Sequence, residues 1–341
     1  MTSTHSLDKT VHLADIAKKT GYSLATVSKV LNNRSDVSSK AKEIINTALQ
    51  ESGYERRPRT VKQRKLIEVV FQNFDSLWCL EVLRGALAAA NERGLSIIVT
   101  ESGDREHPGA DWLSDMLQRA PYGVVLVFSD LTDNERELLR KHGIPAIILD
   151  PSGDPSSGNM SVQADNWSGG LLATRHLIQL GHTRIGIITG PMAMICSRAR
   201  LDGYSTALAE SGLTYDPDLV REGDFHTEGG LQQGLSLLKD PDKRPTAIFG
   251  GCDIQCMGIY EAARNLGLRI PEDLSVVGFD NIQTSQFMSP PLTTVMQPLQ
   301  EMAAAAVQMI ADQQNGRIIR KRETLPTTLI VRESTQQIHN S

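Results

Sequence analysis

The sequence predicts a multidomain fold in which an all-α helix-turn-helix domain precedes an α/β core of two parallel-sheet subdomains. Two short amphipathic runs on either side of Gly21 predict the helical domain, residues 1–54, called the headpiece below. β-branched runs alternating with helical stretches predict the core, residues 66–341. The 341 residues are enough for two or three domains, and a basic linker, residues 55–65, separates the two regions.

Three helices are expected in the headpiece. Apolar residues repeat at helical spacing over 13–17 and again over 24–31, while Gly21 permits a tight turn and Ser23 can cap the second helix. This arrangement predicts a helix-turn-helix. Ser38 is the predicted cap of a third helix, and Gly53 is placed to end it. The apolar stripe predicted for that third helix consists of Ile44, Ile45, Ala48 and Leu49.

The linker "ERRPRTVKQRK" carries six basic residues and one acid, which is typical of a connecting segment rather than a core.

In the core, seven apolar runs predict buried parallel strands: "LIEVVF", "LSIIVT", "GVVLVF", "AIILD", "RIGIITG", "TAIFG" and "LSVVGFD". Helical stretches from Leu80 and from Ser168 follow strands, so we expect them to be the first helices of two similar subdomains.

Charge is divided unevenly along the chain. Residues 1–65 contain 13 Lys and Arg against 6 Asp and Glu, a net of +7, and the remaining residues contain 22 against 34, a net of −12. A basic headpiece on an acidic core predicts a polyanion partner for the headpiece alone.

Composition and motifs exclude several classes of protein. The 40% hydrophobic and 22% charged residues are typical of a globular chain, no run approaches the length of a membrane span, and the amino terminus has no apolar leader. The four cysteines lack zinc-site spacing, so we expect free thiols in a reducing, cytoplasmic compartment and neither metal nor cofactor. No phosphate-binding loop, nucleophile elbow or metalloprotease motif occurs, which argues against an enzyme.

The polar face of the second helix fits a DNA major groove, which is about 12 Å wide. A solvated helix face is the alternative for Lys29 and Asn32 alone, but the turn and the apolar spacing together favour DNA. The predicted DNA contacts are Leu24, Ala25, Thr26, Ser28, Lys29 and Asn32 of this helix and Arg56, Arg57 and Arg59 of the linker.

Two stretches, "LADIAKKTGYSLATVSKVLNN" and "DVSSKAKEIINTALQESGY", resemble the headpiece of the lactose-repressor (LacI) family of transcription regulators. In the core, "RHLIQLGHTRIGIITGP", "RARLDGY", "IPEDLSVVGFDN" and "PPLTTVMQP" are similar to that family's effector-binding region in order and spacing. The resemblance implies a periplasmic-binding-protein-like core of two subdomains with a ligand cleft between them. It also implies a homodimeric regulator, with a repressor favoured, that binds a palindromic double-stranded operator and a small-molecule effector, with a sugar favoured.

The linker departs from the family pattern, since the usual hinge leucine is missing between Gly53 and Leu66. We therefore expect the linker arginines to follow the DNA backbone or enter a narrow minor groove electrostatically. Lys29 stands where arginine is commoner, and Cys252 stands where the family often has asparagine.

The resemblance also supplies the expected effector-binding residues. These are Trp78, Arg200, Phe225, Asp253, Asp280 and Gln297. An arginine fork and an ionised carboxylate suit vicinal hydroxyls, and two aromatic faces suit the apolar side of a sugar ring. Ion pairing for Arg200 and Asp280, and simple core packing for the two aromatic residues, are the alternatives.

Two other classes of protein are alternatives, and the first of them would share the two-subdomain core. A transport-type binding protein would need a signal peptide and would have no use for the headpiece. A sugar kinase or dehydrogenase would need a glycine-rich phosphate motif that the sequence lacks.

Overall fold

The computed structural model describes residues 13–31, 37–52, 65–74, 76–103, 110–128, 131–153, 159–317 and 320–338. The chain divides into two compact units, residues 1–60 and residues 61–341. The predicted linker lies outside the described residues except for Lys65, and so does Gly53, the predicted end of the third helix.

The described part of the headpiece consists of α1 (Leu13–Thr20), α2 (Leu24–Leu31) and α3 (Ser39–Glu51). Gly21 has a φ of +73° and its amide donates to the Ala17 carbonyl oxygen at 3.0 Å, which closes α1. Ser23 Oγ accepts from the amide of Thr26 at 3.1 Å. The two helices and their turn therefore form the predicted helix-turn-helix.

The third helix begins as predicted, because Ser38 Oγ accepts from the amide of Ala41 at 3.4 Å. Its predicted apolar stripe is wrong at Ile44, whose side chain is 39% exposed because it lies outside the buried face of the helix. The headpiece core consists of Ile16, Val27, Val30, Ile45, Ala48 and Leu49.

The first subdomain of the core contains a six-stranded sheet in which neighbouring strands are parallel. In spatial order the strands are β11 (Arg322–Leu325), β5 (Met160–Ala164), β4 (Ala146–Leu149), β3 (Gly123–Val127), β1 (Leu66–Phe71) and β2 (Ser96–Glu101). The helices of this subdomain are α4 (Leu77–Asn91), α5 (Ala110–Arg119), α6 (Asp133–Lys141) and α11 (Leu299–Gln314). One apolar cluster joins the sheet to α4 and α11 and another joins it to α5 and α6, so apolar layers cover it as a parallel sheet requires.

One strand of this sheet carries a buried carboxylate. Glu68 of β1 is fully buried, and Arg119 donates to it from Nε at 2.9 Å and from Nη2 at 2.7 Å. Trp112 Nε1 and Thr100 Oγ1 donate to the same carboxylate at 2.9 Å and 2.8 Å. These bonds allow a charged residue inside an otherwise apolar strand.

The second subdomain repeats this plan. Its strands, in spatial order, are β12 (Thr328–Ile330), β10 (Thr293–Met296), β9 (Ser275–Asp280), β8 (Ala247–Gly250), β6 (Ile185–Thr189) and β7 (Val220–Glu222). Its helices are α7 (Asn166–Gln179), α8 (Ile195–Glu210), α9 (Thr227–Leu238) and α10 (Asp253–Asn265), with 3₁₀ helices at Pro217–Leu219 and Gln283–Phe287. Pairing is parallel except between β10 and β12.

Within the described core the chain passes between the two sheets three times. The crossings are Asp165 between β5 and α7, Gln297 and Pro298 between β10 and α11, and Pro326 and Thr327 between β11 and β12. The first and third crossings touch, since Thr327 Oγ1 donates to the Asp165 carbonyl oxygen at 3.2 Å. Each subdomain is therefore built from separate parts of the sequence.

Candidate functional site

A cavity of about 370 Å³ lies where the carboxyl ends of strands from both sheets meet. Open α/β sheets commonly bind ligands at this edge. The wall consists of Phe71, Gln72, Asn73, Ser76, Trp78, Cys79, Phe128, Asp150, Pro191, Met194, Cys196, Arg200, Asp224, Phe225, His226, Cys252, Ile254, Asp280 and Gln297. Of the six residues predicted to bind an effector, all but Asp253 are in this wall.

Arg200 is a buried cation on α8, with only 4% of its surface exposed. Its Nε donates to Asn166 Oδ1 at 2.9 Å and its Nη1 donates to the Gly251 carbonyl oxygen at 2.5 Å. The guanidinium carbon lies 3.8 Å from the centroid of the Phe279 ring. These contacts fix the guanidinium in the cavity wall, and Nη2 has no hydrogen bond within the described part of the chain.

Two buried carboxyl groups share the cavity wall with Arg200. Burial raises the pKa of Asp280 to about 8 and that of Asp150 to about 6, and the Arg200 guanidinium opposes both increases. Asp280 Oδ1 accepts from Gln297 Nε2 at 2.6 Å. Asp150 Oδ1 and Gln297 Oε1 are buried and have no hydrogen-bond partner in the described structure. This corner of the cavity thus offers acceptors suited to a ligand that donates hydrogen bonds.

Asp150 is a wall residue that was not among the predicted effector-binding residues. It ends the run "AIILD", just as Asp280 ends "LSVVGFD". This shared position at the end of a buried strand could have identified Asp150 as a second carboxylate of the site. Both residues have positive φ, +52° for Asp150 and +111° for Asp280, which turns the chain at the strand end.

Asp253 lies outside the cavity wall, contrary to the prediction that it faces the effector. Thr294 Oγ1 donates to its Oδ1 at 2.5 Å, and the amide of Ile282 donates to its Oδ2 at 3.0 Å. Ser285 Oγ also donates to Oδ2. The carboxylate of Asp253 therefore ties α10 to β10 and to the segment after β9.

Aromatic rings form another part of the wall. Trp78 stacks on Phe128, with ring centroids 4.6 Å apart and planes at 26°. Phe128 was not among the predicted effector-binding residues, although it lines the cavity. Phe225 has a φ of +66° and its ring lies against Gly190, where the ring would overlap any Cβ atom. The predicted aromatic residues Trp78 and Phe225 thus both line the cavity, and the Phe225 ring centroid lies 5.7 Å from the guanidinium carbon of Arg200.

Three buried cysteines, Cys79, Cys196 and Cys252, also line the cavity. Burial raises the pKa of Cys196 to about 12 and also raises the pKa of Cys252 well above its ordinary value. Neutral thiols of this kind behave as small apolar groups rather than as nucleophiles.

The buried residues of α2 are Val27 and Val30, and none of the residues of this helix predicted to bind DNA is buried. Leu24, Ala25 and Lys29 are exposed. Thr26 and Ser28 are half-buried, and Thr26 Oγ1 lies 2.9 Å from Ser23 Oγ. The remaining predicted contacts lie outside the described residues: Asn32, Arg56, Arg57 and Arg59.

Among the described residues, no cluster of three or more His, Cys, Asp or Glu side chains could hold a metal ion. In the same part of the chain, every helix is too short or too polar to span a bilayer.

Comparison with known proteins gives two family matches and close full-length relatives. Residues 12–57 match the model of the bacterial regulatory proteins of the lacI family, and residues 174–335 match a periplasmic binding protein-like domain. The HTH-type transcriptional repressor PurR of Edwardsiella ictaluri is 32% identical over 320 residues, 92% of each chain.

Two solved structures are similar over nearly the whole chain. The transcriptional regulator CelR–cellobiose complex superposes with a TM-score of 0.72 at 30% identity, covering 95% of this chain and 99% of that one. The lac repressor dimer bound to operator and the anti-inducer ONPF superposes with a TM-score of 0.71 at 28% identity, covering 96% and 100%.

Proposed function

This chain belongs to the LacI family of bacterial regulatory proteins, and from that premise we propose that a small molecule in its cleft controls its affinity for an operator. The protein is a DNA-binding transcriptional regulator and not an enzyme. We assign it the role of a repressor acting in the cytoplasm, where bacterial DNA lies.

In the proposed DNA complex, α2 enters the major groove. Ala25, Thr26 and Ser28 are small enough to approach base edges, with Leu24 beside them, and Lys29 supplies a positive charge. Asn32 and the linker residues Arg56, Arg57 and Arg59 complete the proposed contacts. The net charge of +7 over residues 1–65 supports phosphate binding as the main source of affinity.

The proposed active form is a homodimer on a palindromic operator. The similar lac repressor structure is a dimer bound to operator. Two copies of a helix-turn-helix read two half-sites related by the protein's two-fold axis, so the operator sequence should repeat with inverted polarity.

A sugar is the proposed effector, and the observation that carries this proposal is the polar corner of the cavity. Arg200, Asp150, Asp280 and Gln297 combine a fixed cation with carboxyl and amide groups that still have bonding capacity. Vicinal hydroxyls both donate and accept, so they match this combination. The similar CelR structure holds cellobiose.

Control of DNA binding would follow from the position of the cavity between the two subdomains. A ligand that touches both sheets binds one subdomain arrangement better than the other. That difference in affinity shifts the dimer toward or away from the arrangement that holds both headpieces at half-site spacing, and the coupling is reciprocal.

The function is tested with the purified full chain. Selection from random duplex DNA yields the operator, a thermal-shift screen of sugars yields the effector, and fluorescence anisotropy measures operator affinity with and without it. Operator affinity that falls steeply between about 50 and 200 mM salt, and that changes on adding a stabilising sugar, supports the proposal. The proposal is contradicted if the selected DNA contains no inverted repeat. It is also contradicted if a sugar stabilises the protein without changing operator affinity.

Lys29→Ala and Lys40→Ala form a matched pair for the DNA-binding surface, since each removes one lysine charge from a headpiece helix. We expect Lys29→Ala to weaken binding by about 1 to 3 kcal/mol and to relax the preference at one position of each half-site. Lys40→Ala should leave the selected sequence unchanged. Identical sequence preference in both variants would exclude a base contact by Lys29.

A further inference from the structure

We infer that the cleft selects a carbohydrate derivative with an apolar portion, either a deoxygenated carbon or an apolar aglycone, and that Cys79, Cys196 and Cys252 set this preference. The inference rests on the proposed function of the cleft as a sugar-effector site. It adds a ligand class that a cavity lined with hydroxyl-binding groups would not favour.

Three of the four cysteines of the chain lie in one cavity wall, and they come from both subdomains: Cys79 from α4, Cys196 from α8, and Cys252 from the N-cap of α10. The thiol of Cys79 donates to the Asn73 carbonyl oxygen at 3.5 Å, and that of Cys252 lies 3.6 Å from the Phe225 carbonyl oxygen. With the S–H groups of Cys79 and Cys252 engaged by backbone carbonyl oxygens, these two sulfurs offer a ligand only a weak acceptor and an apolar surface.

The buried hydrogen-bonding groups of the wall form one corner, which consists of Asp150, Arg200, Asp280 and Gln297. The other polar wall residues are exposed or half-buried: Gln72, Asn73, Ser76, Asp224 and His226. Cys196 and Cys252 line the same cavity as this corner, and Arg200 Nη1 donates to the carbonyl oxygen of Gly251, the residue before Cys252. A ligand hydroxyl buried against sulfur would lose water without gaining an equivalent partner, which is costly. A methyl or aryl group at the same place has no hydrogen bonds to water to lose, so its burial carries no such cost.

The aromatic residues extend the apolar surface beyond the thiols. The stacked pair of Trp78 and Phe128 and the side chains of Met194 and Ile254 complete it. The cleft therefore has one polar corner and a larger apolar wall, and a ligand that fits both has hydroxyls along one edge and apolar groups elsewhere.

Calorimetric titration of the full chain with matched sugar pairs tests the inference. The probes are the methyl and phenyl β-D-glycosides of glucose, galactose and xylose, together with D-galactose and its 6-deoxy form, D-fucose. We expect the less polar member of at least one pair to bind at least about tenfold more tightly. In the double variant Cys196→Ser/Cys252→Ser this ratio should fall at least roughly threefold, because serine presents a hydroxyl of similar size.

Cys256→Ser is the matched control. Cys256 is buried on α10, four residues from Cys252, but it belongs to the apolar core and not to the cavity wall. We expect this variant to keep the wild-type ratio. Cys79→Ser repeats the test from the other subdomain, so a misfolded double variant does not end the experiment.

The outcomes separate this inference from the proposed function. If the more polar sugar binds as tightly as the less polar one in every pair, the inference is wrong, but the proposal of a sugar effector is unaffected. Binding by none of the probes overturns both. A preference for the apolar members that persists in all folded cysteine variants overturns the role of the thiols.

Discussion

Replacing Arg200 with lysine keeps a positive charge in the cleft and removes the forked guanidinium. Lysine can retain one of the bonds to Asn166 and Gly251, so one bond from a charged donor is lost, worth about 1.5 to 3 kcal/mol. The stacking on Phe279 at 3.8 Å contributes about 0.5 to 2 kcal/mol more. We therefore expect the core to lose about 2 to 5 kcal/mol of unfolding free energy.

Arg200→Lys should also weaken effector binding without changing operator binding. Arg200 Nη2 has no hydrogen bond within the described part of the chain, and a contact from it to a ligand hydroxyl would be worth about 1.5 to 3 kcal/mol. Arg200→Lys should therefore raise the effector dissociation constant roughly ten- to hundredfold while operator affinity without effector stays unchanged.

Calorimetry measures the effector constant, and urea unfolding shows that the variant is folded. Arg198→Lys is the control, since Arg198 lies on the same helix but donates to the carbonyl oxygens of Met192 and Ala193 outside the cavity wall. A folded Arg200→Lys protein with an unchanged effector constant would refute the placement of the ligand at this guanidinium.

Other predictions concern strain, pH and buried charge. Gly21→Ala should destabilise the headpiece by about 1 kcal/mol in urea unfolding, because alanine is strained at a φ of +73°; an unchanged midpoint would contradict this. The raised pKa of Asp280, about 8, means that the folded core holds a proton between about pH 4 and 8 that the unfolded chain releases, so its stability should fall as pH rises through that range. Asp280→Asn should flatten this dependence in thermal unfolding at several pH values, and an identical slope in both proteins would exclude Asp280 as its source. Arg119→Met leaves Glu68 buried without its cation and should cost about 3 kcal/mol in urea unfolding, whereas a loss below about 1 kcal/mol would show that the remaining donors suffice.

Much of the local structure could be predicted because it depends on neighbours in the chain. The headpiece turn follows from Gly21 and Ser23, and the seven apolar runs that predict core strands all lie on or next to strands of the two sheets. The strands that were not predicted are short or lie near sheet edges, where apolar runs are weak. They are β5, β7, β10, β11 and β12.

The candidate site was only partly predictable. Asp150 and Asp253 show the difficulty, because each follows a buried strand. The carboxyl group of Asp150 lies in the cavity wall. Asp253 is the first residue of α10, and its carboxyl group accepts hydrogen bonds from β10 and from the segment after β9. The direction in which the Asp253 carboxyl group points depends on donors 29 to 41 residues away, which the local sequence pattern does not reveal.

The sequence by itself determined the helix-turn-helix, the basic linker composition and the alternation of strands and helices, because periodicity, turn residues and charge act over a few neighbouring positions. Only the tertiary structure decided that α11, near the end of the chain, packs on the first sheet beside α4, and that three crossings bring Gln297 next to Asp280. Those arrangements depend on which apolar faces bury each other. Many pairings of similar faces satisfy the same local pattern, and the folded chain selects among them by the packing of whole layers.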